Sequence, residues 1–192
     1  MDHADLVGLL APGVPRGGGR TPHQISRFGG DPGRWADLGA GEGAFTLALA
    51  DLLGPGAHIT AVDRDRAALR QLAADMGRRF PETTVDVIAA DFTRPMSLHD
   101  LDGVVMANSL HFVRKKQPVL EAVRSMLRPG GRLIVVEYST DRGNPWVPHP
   151  FSFETWKGLA AEAGLEGTSL LATVPSRYFG AMYSAVSKRS AK

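Results

Sequence analysis

Three aspartates, Asp37, Asp63 and Asp91, stand at the ends of three successive short apolar runs. The first opens a glycine-rich stretch, Asp37-Leu38-Gly39-Ala40-Gly41-Glu42-Gly43-Ala44. Glycines in such a loop let the backbone approach a ligand closely and take up positive φ. The stretch fits the G-x-G-x-x-[GA] dinucleotide fingerprint through Gly39, Gly41 and Ala44, a pattern that acquires meaning only from its neighbours. Here those neighbours are acidic. A pyrophosphate on a helix N-terminus wants neutral or positive surroundings. Asp37 and Glu42 instead favour a cationic ligand, such as one carrying a sulfonium and an α-ammonium group. Asp63 offers two acceptor oxygens that match the adjacent hydroxyls of a ribose. Asp91 can accept from an exocyclic amine, with Phe92 beside it for apolar contact with a purine. A single aspartate at such a junction often only caps a helix; three in register beside a glycine loop point to one ligand.

A second group of reactive side chains lies further along. His111, in Asn108-Ser109-Leu110-His111-Phe112, can take a proton from an acceptor hydroxyl or amine, or simply pack and bond to backbone. Glu137 and Tyr138 close the most apolar run of the chain. The loop after them, residues 141–150, carries Trp146 and His149 among three prolines that stiffen it. Trp146 either packs on a sheet edge or walls an apolar pocket. Besides His111, the histidines are His3, His23, His58, His99 and His149; no two have metal-ligand spacing, so no metal site is expected. No G-x-S-x-G elbow supports serine hydrolysis.

These groups must be held by regular elements. Residues 35–38, 58–62, 84–90, 103–107 and 132–138 read as strands. Residues 42–53, 65–79 and 117–127 read as helices between them, the first stopped by Gly54-Pro55-Gly56 and the last by Pro129-Gly130-Gly131. Such alternation predicts a doubly wound, Rossmann-like α/β sheet. A helix over 152–163 follows. Two further strands, near 168–174 and 181–187, are too close in sequence for a parallel crossover and should pair antiparallel at one edge. Seven strands result, mostly parallel. Residues 34–192 form one domain. Residues 1–33 form an N-terminal arm and a candidate lid: 1–10 could make a short helix too small to stand alone, and 11–33 hold seven glycines and four prolines with Arg16, Arg20 and Arg27.

Composition narrows the field. The chain has 192 residues, 22 Lys and Arg against 20 Asp and Glu, and no Cys. Disulfides and thiol chemistry are thereby excluded. A net charge of +2 without a dense basic run gives no footing for a nucleic-acid partner. No run is long enough to span a bilayer and the start lacks a secretory layout, so a cytoplasmic protein is expected.

In these motifs the sequence resembles the class I S-adenosylmethionine-dependent methyltransferases, with a layout nearest the short, small-molecule-type members. DLGAGEG at 37–43 resembles the family's first motif, AVDRD at 61–65 its second, and AADF at 89–92 its adenine-contacting segment. LRPGGRLIVVEY at 127–138 resembles the turn and strand before its active-site loop. The likeness spans about residues 34–188. It implies that Asp37 lies near the methionine amine and that Gly39 and Gly41 pass the methionine moiety. Asp63 would hold the ribose and Asp91 the adenine amine, with Arg64 and Phe92 flanking the ring. Asn108 begins the segment resembling the fourth motif, where the methyl group faces the acceptor, and joins the cofactor set. That segment lacks the Asn/Asp-Pro-Pro-aromatic signature of DNA amino-methylases. The implied reaction is methyl transfer from S-adenosylmethionine to a small-molecule acceptor, leaving S-adenosylhomocysteine, with His111 as the candidate catalytic group and Glu137, Tyr138, Trp146 and His149 around the acceptor. A nicotinamide-dependent oxidoreductase and a non-catalytic S-adenosylmethionine-binding protein are the alternatives.

Overall fold

The computed structural model describes residues 1–12 and 32–191. Helix α1 (His3–Leu10) comes first, followed by β1 (Arg34–Leu38), α2 (Ala44–Leu53), β2 (His58–Asp63), α3 (Arg66–Arg79), β3 (Thr84–Ala89) and β4 (Leu101–Ala107). A single 3-10 turn (Leu110–Phe112) leads to α4 (Gln117–Met126), β5 (Leu127–Tyr138), α5 (Phe153–Glu162), β6 (Leu165–Ser176) and β7 (Gly180–Arg189). The seven strands form one sheet in the order β3-β2-β1-β4-β5-β7-β6. The first five are parallel, and β7 runs antiparallel to both β5 and β6. The doubly wound, seven-stranded α/β reading therefore holds, with β7 slotted inside and β6 alone at the edge. Strands β4, β5 and β6 each begin earlier than expected, β5 by the most. Strand β5 starts at Leu127, paired with Leu101, and resumes its register at Arg132 after the Pro129-Gly130-Gly131 interruption.

Strand side chains alternate between two cores. Trp35, Ile59, Val105 and Ile134 pack with α1, α2 and α3 on one side; Leu38, Val62, Val104 and Leu133 pack with α4 and α5 on the other. This burial on both faces explains why β1, β2 and β4 read as unbroken apolar runs. Residues His3–Leu10 of the arm form α1, closed at its start by a reciprocal Asp2–Asp5 capping box. Leu6, Val7, Leu9 and Leu10 are buried in the same core as α2. Packing supplies what eight residues of propensity cannot. Residues 13–31, with the three arginines and most of the candidate lid, lie outside the described residues. Among the described residues no helix is long and apolar enough to cross a membrane, and no cluster of three metal-ligating side chains occurs.

The order of strands decides where a ligand can sit. The chain winds outward from β1 to β3, then returns to place β4 on the other flank of β1. The connections after β1 and β4 therefore run to helices on opposite faces of the sheet, leaving a crevice at the carboxyl ends of the strands. Gly39 follows one strand and Asn108 the other.

Candidate active site

Three cavities open at this end; the smallest, about 380 Å³, shares Asn108, Tyr138 and Tyr178 with the second described below and adds Arg177. The first, about 580 Å³, is walled by Gly39, Asp63, Arg64, Asp91, Phe92 and Thr93 from the first half of the sheet, and by Asn108, Ser109 and residues 112–115 from beyond β4. The second, about 680 Å³, is walled by Asn108, His111, Phe112, Tyr138, Asn144, Trp146, Val147, Tyr178 and Phe179. Asn108 and Phe112 belong to both.

The glycine loop is tied down by the acid of the next strand. Asp63 accepts from Gly41 N at 2.8 Å through Oδ2 and from Asp65 N at 2.9 Å through Oδ1. Capping of α3 falls to Asp65, which takes the N–H groups of Ala67 and Ala68. Asp63 is thus left on the cavity wall with lone pairs to spare. Gly39 has φ +85°, and a Cβ there would stand 2.4 Å from Ser109 Cβ; only glycine lets the loop after β1 come this close to the one after β4. Ser109 Oγ closes the contact by donating to Leu38 O at 2.7 Å. Asp91 accepts from Thr93 N and Oγ1 at 2.9 and 2.7 Å. Those bonds, the Thr93 hydroxyl first, hold its carboxyl below the ordinary range, with smaller help from Arg64 and Arg94.

Asp37 is placed differently from the other two. It is buried behind the cavity and forms no part of either wall. Its carboxylate accepts from Thr46 Oγ1 at 2.6 Å, in the first turn of α2. Burial raises its pKa to about 6; the Thr46 bond opposes this and the nearby Asp63 charge adds to it. An acid held in that condition favours positive charge nearby. Gly41 also lies off the walls, its role here being the bond to Asp63.

The acceptor side holds an unexpected partnership. Glu137 is fully buried and does not face the second cavity. Its Oε1 accepts from the backbone of Leu110 at 3.0 Å and of His111 at 3.2 Å, and its Oε2 meets His111 Nδ1 at 2.7 Å. A carboxylate only accepts, so Nδ1 carries the proton and Nε2 keeps a free lone pair. His111 itself lies on the cavity wall. His149, expected at this cavity, is off its wall; its N–H donates to His111 O at 3.0 Å and its carbonyl accepts from Lys116 Nζ at 2.8 Å. Tyr138 and Trp146 do line the cavity.

Tyr178 and Phe179 on the wall, and Lys116 behind it, escaped the sequence reading. Tyr178 and Phe179 sit in the short β6–β7 turn, where two adjacent aromatics were the available signal. Lys116, buried under the 3-10 turn, gave none, because Arg114-Lys115-Lys116 reads as a solvated run. Asn108 has φ +52°, and its Oδ1 is buried without a hydrogen-bond partner. An orphaned acceptor between the two cavities suits a ligand that brings a donor, such as an amine. With half-buried Asp63 and Asp91 on the wall and the glycine cradle, the residues present fit an adenosyl sulfonium.

Residues 36–133 match the family model described as "Methyltransferase domain". The chain is 29% identical over 136 residues to a carboxy-S-adenosyl-L-methionine synthase of Aeromonas salmonicida, covering 69% of this chain and 55% of that protein. It is 30% identical over 123 residues to a ubiquinone/menaquinone biosynthesis C-methyltransferase of Ectopseudomonas mendocina, covering 63% and 48%. It thus spans about half the length of these curated relatives. A crystal structure of the Burkholderia thailandensis 1,6-didemethyltoxoflavin-N1-methyltransferase, with S-adenosylhomocysteine bound, superposes with a TM-score of 0.70 at 20% identity, over 88% of this chain and 76% of that one. At that identity the likeness is one of fold.

Proposed function

From the premise that the chain belongs to the S-adenosylmethionine-dependent methyltransferases, we propose that it methylates a small molecule bound in the second cavity, with His111 as the base and Glu137 as the residue that positions it. The observation that carries this reading is the buried His111–Glu137 pair, with Nδ1 committed to the carboxylate at 2.7 Å and the ring on the cavity wall. The named activities of the C-methyltransferase and N1-methyltransferase relatives, both on small molecules, support the acceptor class.

Asp63, Asp91, Gly39 and Asn108 are assigned to the cofactor, Asp63 for the ribose and Asp91 for the adenine amine, with Arg64 and Phe92 beside the ring. Asp37 and Gly41 serve from behind, by charge and by fixing the loop. When bound, the cofactor supplies a methyl group on a positively charged sulfur, a leaving group that departs neutral. The protein's own work is then alignment and proton removal. His111 Nε2 takes the proton from an acidic O–H, N–H or C–H of the acceptor, and Glu137 stabilises the imidazolium that results. The nicotinamide alternative finds no support in the family or in the acidic loop.

The test follows S-adenosylhomocysteine release over a panel of small hydroxylated and amino acceptors. His111→Asn and Glu137→Gln should each lower kcat by about 10²–10⁴-fold, with S-adenosylhomocysteine affinity changed less than about twofold. The glutamine is informative because its amide places an N–H against Nδ1 and forces the proton onto Nε2. Turnover that survives both changes would remove His111 from the chemistry.

A further inference from the structure

We infer that the second cavity selects a flat, uncharged ring system, a hydroxylated or carbonyl-bearing aromatic, and that Trp146 and Tyr178 are its specificity-determining residues. The inference deepens the small-molecule reading above and rests on it only for the edge of the ring that reacts.

The first argument is charge. Among the described residues lining this cavity there is no Lys, Arg, Asp or Glu, whereas the cofactor cavity beside it carries Asp63, Asp91, Arg64, Arg114 and Lys115. A carboxylate or ammonium in the second cavity would lose its hydration and find no ionic partner on this wall; Arg177 lines the adjoining smaller cavity. The second argument is shape and chemistry. Five rings, Phe112, Tyr138, Trp146, Tyr178 and Phe179, share the wall with His111. Tyr138 lies 5.1 Å from Phe179 and 5.8 Å from the His111 ring, centroid to centroid. Such a wall rewards stacking over simple bulk.

The third argument is that two of these rings are held in water on purpose. Trp146 and Tyr178 are 78% and 79% exposed, whereas Trp35 and Trp156 are buried. Trp146 is not slack. Its N–H and that of Val147 both donate to Asn144 Oδ1 at 2.9 Å, and Asn144 N donates to Val147 O at 3.0 Å, closing a tight turn around it. Tyr178 N is likewise fixed to Ser176 Oγ. Solvated aromatics carried on backbone turns pinned in this way at a cavity mouth offer faces for a ring to cover. Away from the exposed mouth the wall carries buried His111 and half-buried Asn108, so the ring's oxygen belongs at their end.

The test is calorimetric titration with three probes, run with and without S-adenosylhomocysteine. They are 2-naphthol, which is flat and neutral; decahydro-2-naphthol, as large but not flat; and 2-naphthoate, flat but charged. 2-Naphthol should bind about tenfold more tightly than either of the others. Trp146→Ala and, separately, Tyr178→Ala should each weaken it by about tenfold while moving the S-adenosylhomocysteine Kd less than about twofold. Equal binding of the saturated probe, tighter binding of the carboxylate, or no binding of any ring would overturn the inference. Failure of S-adenosylhomocysteine to bind would strike the methyl-transfer reading instead, and the ring titrations alone would still judge the cavity.

Discussion

Asp37 shows how a buried charge can serve a site it does not touch. Its carboxyl is raised to about 6, by burial first, against 3.8 in the unfolded chain. The folded state therefore binds the proton more strongly. Stability from this group is greatest below pH 4, falls as pH rises towards 6, and is flat above. The loss is on the order of 3 kcal/mol. Asp37→Asn keeps the bond from Thr46 and deletes the charge. Thermal denaturation of the cofactor-free protein at pH 5.0 and 7.5 should show the variant gaining stability at the higher pH and losing much of the difference between the two. S-Adenosylhomocysteine should bind it about tenfold less well, the cost of roughly 1.4 kcal/mol of lost attraction to the ammonium. A variant with the wild-type pH dependence would show that Asp37 is not the group at issue. That Asp37, Asp63 and Asp91 gather at one end of the sheet was legible in the sequence, but which of them face the cavity was not. Glu137 and Tyr138 make the same point, since neighbours on a strand point to opposite faces. Tyr138 packs on the α1 side. Glu137 turns to the α4 side, beneath the 3-10 turn that His111 occupies.

Besides Tyr138 and the β6–β7 turn, the acceptor cavity is walled by two loops that have no sheet register to fix them. One is the 3-10 turn and its extension to Lys116; the other is the proline-rich loop after β5. Lys116 joins them, donating to Val113 O at 3.0 Å and His149 O at 2.8 Å, with its ammonium 5.0 Å from the Phe151 ring centre. Burial pulls its pKa down and the Glu137 charge partly restores it. His149 N adds a second tie, to His111 O. Lys116→Met keeps the stem's bulk and leaves two carbonyls short of a donor, at about 1–3 kcal/mol each. The expected result is a lower melting temperature and a loss of 2-naphthol binding well beyond any change in S-adenosylhomocysteine affinity. Equal loss of both ligands would mean that Lys116 supports the whole fold and not this loop pair. The strands and helices were readable because periodicity and glycine or proline stops record them locally. The loop pairing was not, because it depends on one lysine finding a carbonyl 33 residues further along the chain.

The sheet divides its labour about β1 and β4. Strands β1–β3 end in the groups assigned to the cofactor. Strands β4 and β5 and the β6–β7 turn end in the aromatic cavity. Asn108, with positive φ and an orphaned carbonyl oxygen, stands where the two meet. Cofactor binding should therefore tie the halves of the sheet together, and a ligand that binds only the folded protein stabilises it by mass action. At 100 times its Kd the gain is about 2.7 kcal/mol. For a chain of this size that raises the melting temperature by roughly 5–11 °C. S-Adenosylhomocysteine should produce this shift in the wild type and in Trp146→Ala, whose ring lies in the other half. Asp63→Ala should abolish most of it by removing both the ribose acceptor and the tie to Gly41. NADH should produce none, since the acids around the glycine loop repel its pyrophosphate. A shift with NADH equal to that with S-adenosylhomocysteine, or one that Asp63→Ala leaves intact, would mean that the adenosyl site has been assigned to the wrong end of the crevice.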